Sequence, residues 1–312
     1  MIIVTGGSGL VGQALQRAHP EYIYLSSKDG DLRNLEETKQ IFRKHQPTGI
    51  IHLASIVGGL YKNMSSNYEM FMDNLAINQN IMACCHEFNV TQGLFVLSTC
   101  VFPDKTSYPI DETMLHNGAP HSSNEGYSYA KRTLEVMCRL HNQKYGTKFL
   151  CVIPTNLYGV HDNFNLENAH VIPNLVHKAY IANIENRPLT LRGSGKALRQ
   201  FLYVDDFVRM LSGLYQNLIT NSDVSSEQVS SPIVCAPREE ISIQMLADLI
   251  VYTMEFENGV TYDKSFSDGQ IKKTADGSTF NGLFPDFKYT PLIDGLKTTV
   301  DWFKLHYPNV RK

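Results

Sequence analysis

The feature that most constrains the fold of this chain is a glycine-rich turn at residues 5–12. The apolar run 2–4 leads directly into Thr-Gly-Gly-Ser-Gly-Leu-Val-Gly, and a helical pattern follows it. A strand, a tight glycine turn and a helix in direct succession form the opening unit of a doubly wound α/β sheet. We therefore expect a parallel sheet with helices on both of its faces.

The first half of the sequence repeats this alternation. Short apolar runs bounded by turn residues predict buried strands, and longer stretches with helical spacing separate them. The predicted strands are 2–4, 22–25, 50–53, 94–97 and 149–153. The predicted helices are 10–18, 35–45, 67–88 and 126–145. This order predicts right-handed crossovers between parallel strands.

Beyond Pro154 the alternation is lost, and prolines interrupt short elements. The change predicts a smaller α+β domain that closes over the carboxyl ends of the strands, where ligands of doubly wound sheets bind. We assign residues 1–155, together with about 195–220, to a Rossmann-type domain. The expected substrate-binding domain then comprises about 156–194 and 221–312.

Charge and cysteine content argue against several classes of protein. The net charge is −3 without a basic block, so a nucleic-acid partner is not expected. The six cysteines lack C-x-x-C spacing and predict buried thiols in a reducing compartment, with no metal site and no disulfide framework. Residues 1–4 do not look like a signal peptide, and no stretch has the length of apolar sequence that a membrane helix needs. We expect a cytoplasmic protein with no membrane partner.

The glycine turn also predicts a dinucleotide site. It fits both G-x-G-x-x-G and G-x-x-G-x-x-G, it follows a strand, and it opens a helix. Glycines let the backbone approach a pyrophosphate, which then lies at the positive end of the helix. The residues expected at the pyrophosphate are Gly6, Gly7, Ser8, Gly9, Leu10, Val11 and Gly12.

The end of the second strand favours NADP over NAD. An NAD enzyme usually has an acid there to hold the ribose 2′-hydroxyl, whereas this chain has Ser26, Ser27 and Lys28. Hydroxyl donors and a cation, Ser27 and Lys28, suit a 2′-phosphate. Asp29 could still serve as the acid.

Residues with the chemistry of carbonyl reduction follow the fourth strand. Ser98 lies at the end of that strand, and Tyr127 and Lys131 are four apart on the next helix, hence on one face. A neighbouring ammonium and an oxidised nicotinamide are expected to lower the pKa of the phenol, and Tyr127 can donate a proton to a carbonyl oxygen as hydride arrives at carbon. Ser98 can hydrogen-bond the same oxygen, and Lys131 can also reach the nicotinamide ribose.

With these motifs the chain resembles the extended short-chain dehydrogenase/reductase family over nearly its whole length. The resemblance implies an NADPH-dependent oxidoreductase of Rossmann-type fold, and a homodimer formed through the helices predicted at 67–88 and 126–145. It also implies further cofactor contacts, namely Asp31, Leu32, Leu53, Ala54, Pro154, Asn156, Leu157 and His170.

Four segments are similar to a narrower group in this family, the enzymes that invert C3 and C5 of GDP-4-keto-6-deoxy-D-mannose and reduce C4 with NADPH. The segments are Leu-Ser-Thr-Cys-Val-Phe-Pro at 97–103, Asn-Glu-Gly-Tyr at 124–127, Pro-Thr-Asn-Leu-Tyr-Gly-Val-His-Asp-Asn-Phe at 154–164 and His-Val-Ile-Pro at 170–173. By this resemblance, Cys100 and His170 are the epimerisation pair, with the roles of acid and base open. Cys100 is two residues past Ser98, so both side chains project to one side if the backbone stays extended.

The same resemblance assigns a site for a GDP-linked sugar. Arg199 matches the family's substrate arginine, and Lys178 and Lys273 suit the diphosphate, although either lysine is equally compatible with a solvated surface charge. The other expected substrate contacts are Val57, Gly58, Gly59, Ser98, Cys100, Asn156, Val171 and Arg192. Arg192 stands where the family usually has Trp, which leaves the preference for the nucleotide base open. Val160 replaces the usual Pro and only loosens a loop.

Other functions remain open. A 4,6-dehydratase of the same fold would follow its Ser or Thr with Asp-Glu, whereas Cys100 and Val101 stand here, and a 4-epimerase would retain tightly bound NAD. Another nucleotide-sugar 4-reductase also fits the motifs. Outside the enzymes, a non-catalytic NADP-binding sensor is the alternative, but such proteins typically lack the Tyr or the Lys of the catalytic pair.

Overall fold

A computed structural model describes residues 1–266 and 270–312. Asp268 and Gly269, in the segment that precedes Lys273, therefore lie outside the described residues. The strands are β1 Ile2–Thr5, β2 Ile23–Leu25, β3 Gly49–His52, β4 Gln92–Val96, β5 Lys148–Pro154, β6 Asn156–Tyr158, β7 Leu189–Arg192, β8 Leu198–Arg199, β9 Phe201–Tyr203, β10 Ile233–Cys235, β11 Ile241–Ser242 and β12 Val260–Asp263. The α-helices are α1 Leu10–Ala18, α2 Leu35–His45, α3 Leu60–Ser65, α4 Asn67–Glu87, α5 Glu125–Tyr145, α6 Val171–Ile184, α7 Val204–Leu214, α8 Ile243–Met254, α9 Ser278–Leu283 and α10 Leu292–His306.

The centre of the fold is a six-stranded parallel sheet in the order β10-β5-β4-β3-β1-β2. The strand order reverses between β1 and β3, because β2 lies outside β1 while the later strands lie on the other side. Doubly wound sheets bind ligands at such a switch point, beyond the carboxyl ends of the strands. The predicted fold class is confirmed.

Both faces of this sheet are buried. Successive residues of one strand face opposite sides, so Ile3 packs into a core with α2, α4 and α5 while Val4 packs into a core with α1 and α7. Helices on both faces explain why the strands are continuous apolar runs rather than alternating ones. The predicted strands and helices of the first half all occur, with ends within two residues of those expected. At α2, for example, the Asn34 side chain accepts hydrogen bonds from the amides of Glu36 and Glu37 and so fixes where the helix begins.

The smaller part of the protein has its own core, formed mainly by α6, α8, α10 and the short strands β7, β9 and β11. The expected division of the chain differs from the structure at one point. Residues 233–235 were assigned to the substrate-binding domain, but as β10 they pair with β5 at the edge of the central sheet, in the register Ile233 with Val152. The chain thus remains in the Rossmann-type part after α7, where the residues of this short apolar run are buried in the cores on the two faces of the sheet.

Two further observations concern the state of the cysteines and the apolar length of the helices. All six cysteines are buried and unpaired. Within residues 1–266 and 270–312, no helix combines the length and the apolar character needed to cross a membrane.

Candidate active site

The glycine turn after β1 has the geometry of a phosphate-binding loop. Gly6 has φ +71°, and a Cβ there would lie 2.9 Å from the amide nitrogen of Ala54. A Cβ on Gly12 would lie 2.5 Å from the carbonyl oxygen of Gly7. Side chains at these positions are therefore excluded by backbone atoms. The contact also places Leu53 and Ala54, which follow β3, against the turn.

The N-terminus of α1 suits an anion. Gly9 is the N-cap residue and has no side chain to cap the helix, and no acidic residue lies in the first turn. The first amides of a helix carry partial positive charge, so a pyrophosphate is stabilised there. The turn therefore fits the dinucleotide that the sequence predicts, with Ser8, Leu10 and Val11 around it.

In the turn after β2, the acidic side chain of Asp29 makes its hydrogen bonds within the turn itself. The Asp29 carboxylate accepts hydrogen bonds from the amide and the hydroxyl of Ser26, at 2.8 and 3.0 Å. Ser27 and Lys28 are exposed. Asp31, a few residues on, pairs with the Arg33 guanidinium at 2.8 Å. The arrangement favours Lys28 over Asp29 as the group that meets the adenosine ribose, which agrees with NADP.

The backbone turns directly after Ser98 instead of staying extended. Residues Thr99–Val101 form a 3-10 helix, and Ser98 caps it by accepting a hydrogen bond from the amide of Cys100 at 3.5 Å. The extended backbone that would project Ser98 and Cys100 to the same side is therefore not present here. The turn buries Cys100, which is 7% exposed. Cys100 nevertheless lies close enough to influence the pKa of both Tyr127 and Lys131.

Tyr127 and Lys131 share one face of α5, as predicted. The Lys131 Nζ lies 5.8 Å from the centre of the Tyr127 ring and donates a hydrogen bond to the carbonyl of Val96 at 2.8 Å. Burial lowers the pKa of Lys131 to about 8. Burial also raises the pKa of Tyr127, against the effect of a hydrogen bond with Ser55. Desolvation is thus the largest influence on the phenol in the protein alone, and the lowering of its pKa by the ammonium together with an oxidised nicotinamide stays a prediction.

Ser55 is a site residue that the sequence analysis missed. Its hydroxyl donates to Oδ1 of Asn74 at 2.6 Å, and the same oxygen accepts from the amide of Ile56 at 2.8 Å. Asn74 is buried on α4 and so fixes the loop after β3 beside Tyr127. The sequence contained one signal that could have identified Ser55: its hydroxyl lies just beyond the carboxyl end of a predicted parallel strand.

Another buried network lies under Lys131. Nδ1 of His52 is 2.8 Å from the Thr5 hydroxyl, and Nε2 is 3.2 Å from Oδ1 of Asn78. Burial, followed by the nearby Lys131 charge, lowers the pKa of His52 to about 3. His52 is therefore neutral and adds no charge beside the catalytic lysine.

His170 directly precedes α6 and is an exposed residue. Partial desolvation lowers the pKa of its imidazole, which is therefore neutral at pH 7. A Cβ on Gly59 would lie 3.5 Å from the carbonyl of Ala169, which places the loop 57–59 directly against the residue before His170. The Asn63 side chain holds this loop by donating to the carbonyl of Gly58 at 2.6 Å. The expected contacts Val57, Gly58 and Gly59 thus come together with His170 and Val171.

Arg199 and Lys273, two of the predicted substrate cations, are half-buried. Arg199 donates to the carbonyl of Leu198 at 2.7 Å and to that of Gln270 at 2.6 Å. Burial lowers the pKa of both cations, and Lys273 is close enough to Cys100 and Arg199 for their charges to affect its pKa. Partly desolvated cations favour an anionic ligand, which replaces the water they have lost.

Three expected cofactor residues follow the end of β5. Pro154 is its last residue, and Asn156 begins β6, where its side chain donates to the carbonyl of Gln200 at 2.9 Å. Leu157 is half-buried beside it.

A cavity of about 490 Å³ between β9 and the segment 281–292 contains none of the predicted site residues. We place the site in the cleft, because the titratable and cationic groups converge there.

Comparison with known proteins agrees with this geometry. The chain is 46% identical to a GDP-L-fucose synthase of Dictyostelium discoideum over 100% of this chain and 97% of that protein. It is 29% identical to a GDP-L-fucose synthase of Escherichia coli over 97% of this chain and 96% of that protein. The crystal structure of a GDP-L-fucose synthetase from Naegleria fowleri bound to NADP superposes with a TM-score of 0.91 at 44% identity, covering 100% of this chain and 94% of that one.

The match to a family is equally extensive. The model of the NAD dependent epimerase/dehydratase family matches residues 2–224, which include the glycine turn, Ser98, Tyr127, Lys131 and His170. The chain therefore belongs to the NAD dependent epimerase/dehydratase family.

Proposed function

We propose that the protein converts GDP-4-keto-6-deoxy-D-mannose into GDP-L-fucose, by inverting C3 and C5 and reducing C4 with NADPH. Similarity to the GDP-L-fucose synthases of Dictyostelium discoideum and Naegleria fowleri supports the substrate and the cofactor. The observation that carries the proposal is the place of Cys100, a buried thiol two residues after Ser98 and close enough to Tyr127, Lys131 and Lys273 for its charge to influence their pKa values. A simple carbonyl reductase has no use for an extra proton-transfer group at this position.

Reduction at C4 is the task of the serine, tyrosine and lysine. NADPH, when bound at the glycine turn, supplies the hydride. Tyr127 donates its phenolic proton to the C4 oxygen, and Ser98 donates a hydrogen bond to the same oxygen and orients it. Lys131 lies under the Tyr127 ring and stabilises the phenolate that this proton transfer leaves.

Inversion at C3 and C5 is the task of Cys100 and His170. A C–H bond next to the C4 ketone becomes acidic when the enolate oxygen is stabilised, here by Tyr127 and Ser98. One of the pair removes the proton from one face of the sugar, and the other delivers a proton to the opposite face. The neutral His170 imidazole is the form that can accept a proton.

The diphosphate is held by cations around the catalytic centre. Arg199, Lys273 and Lys178 are each half-buried, and burial lowers the pKa of all three. Desolvated cations bind phosphate oxygens strongly, because the ligand replaces the lost water. Val57, Asn156 and Val171 line the cleft between them.

The proposal is tested by incubating the purified protein with NADPH and GDP-4-keto-6-deoxy-D-mannose. We expect one NADPH to be oxidised per sugar, with GDP-L-fucose identified as the product by mass and NMR. Reduction without inversion would refute the assignment of Cys100 and His170 and point to a nucleotide-sugar 4-reductase. NADPH binding without oxidation would favour the sensor.

We expect Lys28→Ala to weaken NADPH binding by about tenfold while leaving NADH binding unchanged, since the lost cation faces only the 2′-phosphate. Fluorescence titration of both dinucleotides with both proteins measures the ratio. Lys44→Ala removes a cation from the last turn of α2 and serves as the control. An equal change for NADPH and NADH after Lys28→Ala would contradict the assignment of Lys28.

We further propose that the protein forms a homodimer and works in the cytoplasm. Large side chains are exposed on the two helices expected at the interface, among them Tyr68 and Met72 of α4 and Leu140 of α5, which are 71%, 44% and 51% exposed. Apolar side chains on neighbouring helices favour burial against a second copy. Six unpaired cysteines suit a reducing compartment. Light scattering and cell fractionation test the two statements, and a monomer or a secreted protein would refute them.

A further inference from the structure

The side chain of Asn74 fixes where the hydroxyl proton of Ser55 lies. Nδ2 of this amide donates to the carbonyls of Met70 and Ile56, at 2.7 and 3.0 Å, and Oδ1 accepts from the amide of Ile56 at 2.8 Å. A reversed side chain would set donor against donor at the Ile56 amide and acceptor against acceptor at both carbonyls, so its orientation is determined. Ser55 therefore donates its one proton to Oδ1, at 2.6 Å.

This bond leaves Ser55 as an acceptor toward Tyr127. A serine hydroxyl has one proton and two lone pairs. Because the proton lies on the side of Asn74, the phenol donates the side-chain hydrogen bond between Tyr127 and Ser55 as long as the phenol is neutral. In the resting protein the phenolic proton therefore points at the Ser55 oxygen.

The arrangement changes when Tyr127 has given its proton away. The residue is half-buried, and burial disfavours its phenolate and raises its pKa. A phenolate has no proton to donate, so its oxygen and the Ser55 oxygen would face each other as two acceptors. Rotation of the Ser55 hydroxyl removes this conflict, because it turns the serine proton from Asn74 to the phenolate. In that position the hydrogen bond lowers the pKa of Tyr127, which is the direction of the influence that Ser55 has.

The rotation leaves no polar atom of Asn74 without a partner. Oδ1 keeps the hydrogen bond from the Ile56 amide, and Nδ2 keeps both carbonyls. This matters because Asn74 is only 1% exposed, so solvent cannot replace a lost donor. A lost hydrogen bond destabilises a protein mainly when it leaves a buried group unsatisfied. The second donor on Oδ1 therefore allows the Ser55 hydroxyl to turn at little cost.

Lys131 and Cys100 are titratable groups beside the same phenol. The Lys131 Nζ lies 5.8 Å from the centre of the Tyr127 ring, and the charge of Cys100, in the turn after β4, raises the pKa of Tyr127. Both act through their charge, whereas Ser55 acts through a hydrogen bond. A proton that turns toward an oxygen as this oxygen gains charge stabilises the charged state more than the neutral one.

We propose that Ser55 is a switching hydrogen-bond partner of Tyr127, which accepts from the neutral phenol and donates to the phenolate formed when the C4 oxygen takes the proton. The phenolic O–H bond breaks and the O–H bond at C4 forms, while the serine O–H bond only rotates. The inference rests on the proposed function, which makes Tyr127 the proton donor. Ser55 contacts the reacting phenolic oxygen and is a further catalytic residue, and Asn74 is its positioning residue.

The first test measures the ionisation of Tyr127 in the complex with NADP⁺, by the ultraviolet absorbance of phenolate with Tyr127→Phe as the blank. We expect Ser55→Ala to raise the pH of half-ionisation by about one to two pH units, a 10- to 100-fold change in the ionisation constant, as is usual for a hydrogen bond to a charged group. Ser55→Thr keeps the hydroxyl and should keep the wild-type value. Ser128→Ala, which removes a fully buried hydroxyl from the neighbouring position on α5, is the control and should keep it too.

The second test measures NADPH oxidation with the 4-keto sugar at pH 7. The kcat of Ser55→Ala should fall by the same factor of about 10 to 100, and the KM for NADPH should change by less than about twofold, because the hydroxyl acts after binding. Activity should return in Ser55→Thr. Melting temperatures of the variants show whether they are folded, and a variant that is merely less stable would not move the ionisation of Tyr127.

Either test can overturn the inference alone. An unchanged pH of half-ionisation in Ser55→Ala, or a kcat equal to that of the wild type, would mean that Ser55 does not donate to the phenolate. A lowered pH of half-ionisation would mean that Ser55 only accepts from the neutral phenol. If the wild type oxidises no NADPH with this sugar, the proposed function fails, whereas the titration with NADP⁺ needs no sugar and still decides the contact between Ser55 and the phenolate.

Discussion

Tyr127→Phe is expected to lower the rate of NADPH oxidation by about 10²- to 10⁴-fold, the usual contribution of a positioned proton donor. The change removes only the phenolic oxygen and leaves the ring over Lys131 in place. The C4 oxygen would then gain negative charge without a proton to neutralise it. Steady-state kinetics with NADPH and the 4-keto sugar, together with solvent-deuterium incorporation at C3 and C5, measure the effect.

The tyrosine prediction separates reduction from inversion. Exchange should persist in Tyr127→Phe, because Cys100 and His170 are intact, although a weaker enolate contact can slow it. Tyr129→Phe is the matched control, since Tyr129 is on the same helix, is 37% exposed and stacks with Arg132 outside the catalytic face. Its activity should equal that of the wild type. Loss of exchange as complete as the loss of reduction would argue against a separate role for Tyr127.

Cys100→Ala is expected to reduce deuterium exchange at C3 and C5 by about 10²- to 10³-fold while NADPH binding is unchanged. The variant removes one of the two proton-transfer groups, so inversion needs water or His170 alone. Reduction of the uninverted ketone should continue slowly and give a product with a different configuration at C3 and C5. NMR of the product identifies it.

A second cysteine variant controls for packing. Cys84→Ala removes a thiol from the core between α4 and the sheet, where Cys84 is fully buried. Both variants lose a small buried side chain, so both are expected to lower the melting temperature slightly. Only Cys100→Ala should affect exchange. Equal exchange in Cys100→Ala and in the wild type would exclude the thiol from the reaction.

The Rossmann-type part could be predicted from the sequence because its signals are local. A strand such as β1 is a short apolar run followed by glycines, and α2 begins where Asn34 can cap it. Each of these choices depends on neighbours within a few residues. The pairing of β10 with β5 depends instead on residues that are about eighty positions apart, and no local sequence pattern predicts this pairing.

The residues of the site were also easier to predict from the sequence than their conformation and their pKa values. The motif around Ser98 identified Cys100, but residue spacing does not predict the 3-10 helix that Ser98 caps there. The spacing of Tyr127 and Lys131 placed them on one face, but their pKa values depend on burial that only the folded chain creates. Ser55 was missed because its role comes from Asn74, which lies on α4, 19 residues further along the chain.

The late position of β10 has a consequence for the protein during its synthesis. A ribosome that has made the chain as far as α7 has already released β1 to β5 and the glycine turn. Such a nascent chain can form most of the sheet, but β5 is then an uncovered edge until residues 233–235 emerge, and an open edge invites pairing with other chains. Lys273 follows later still. A premature stop between α7 and β10 should therefore yield an aggregating fragment instead of a smaller dinucleotide-binding protein.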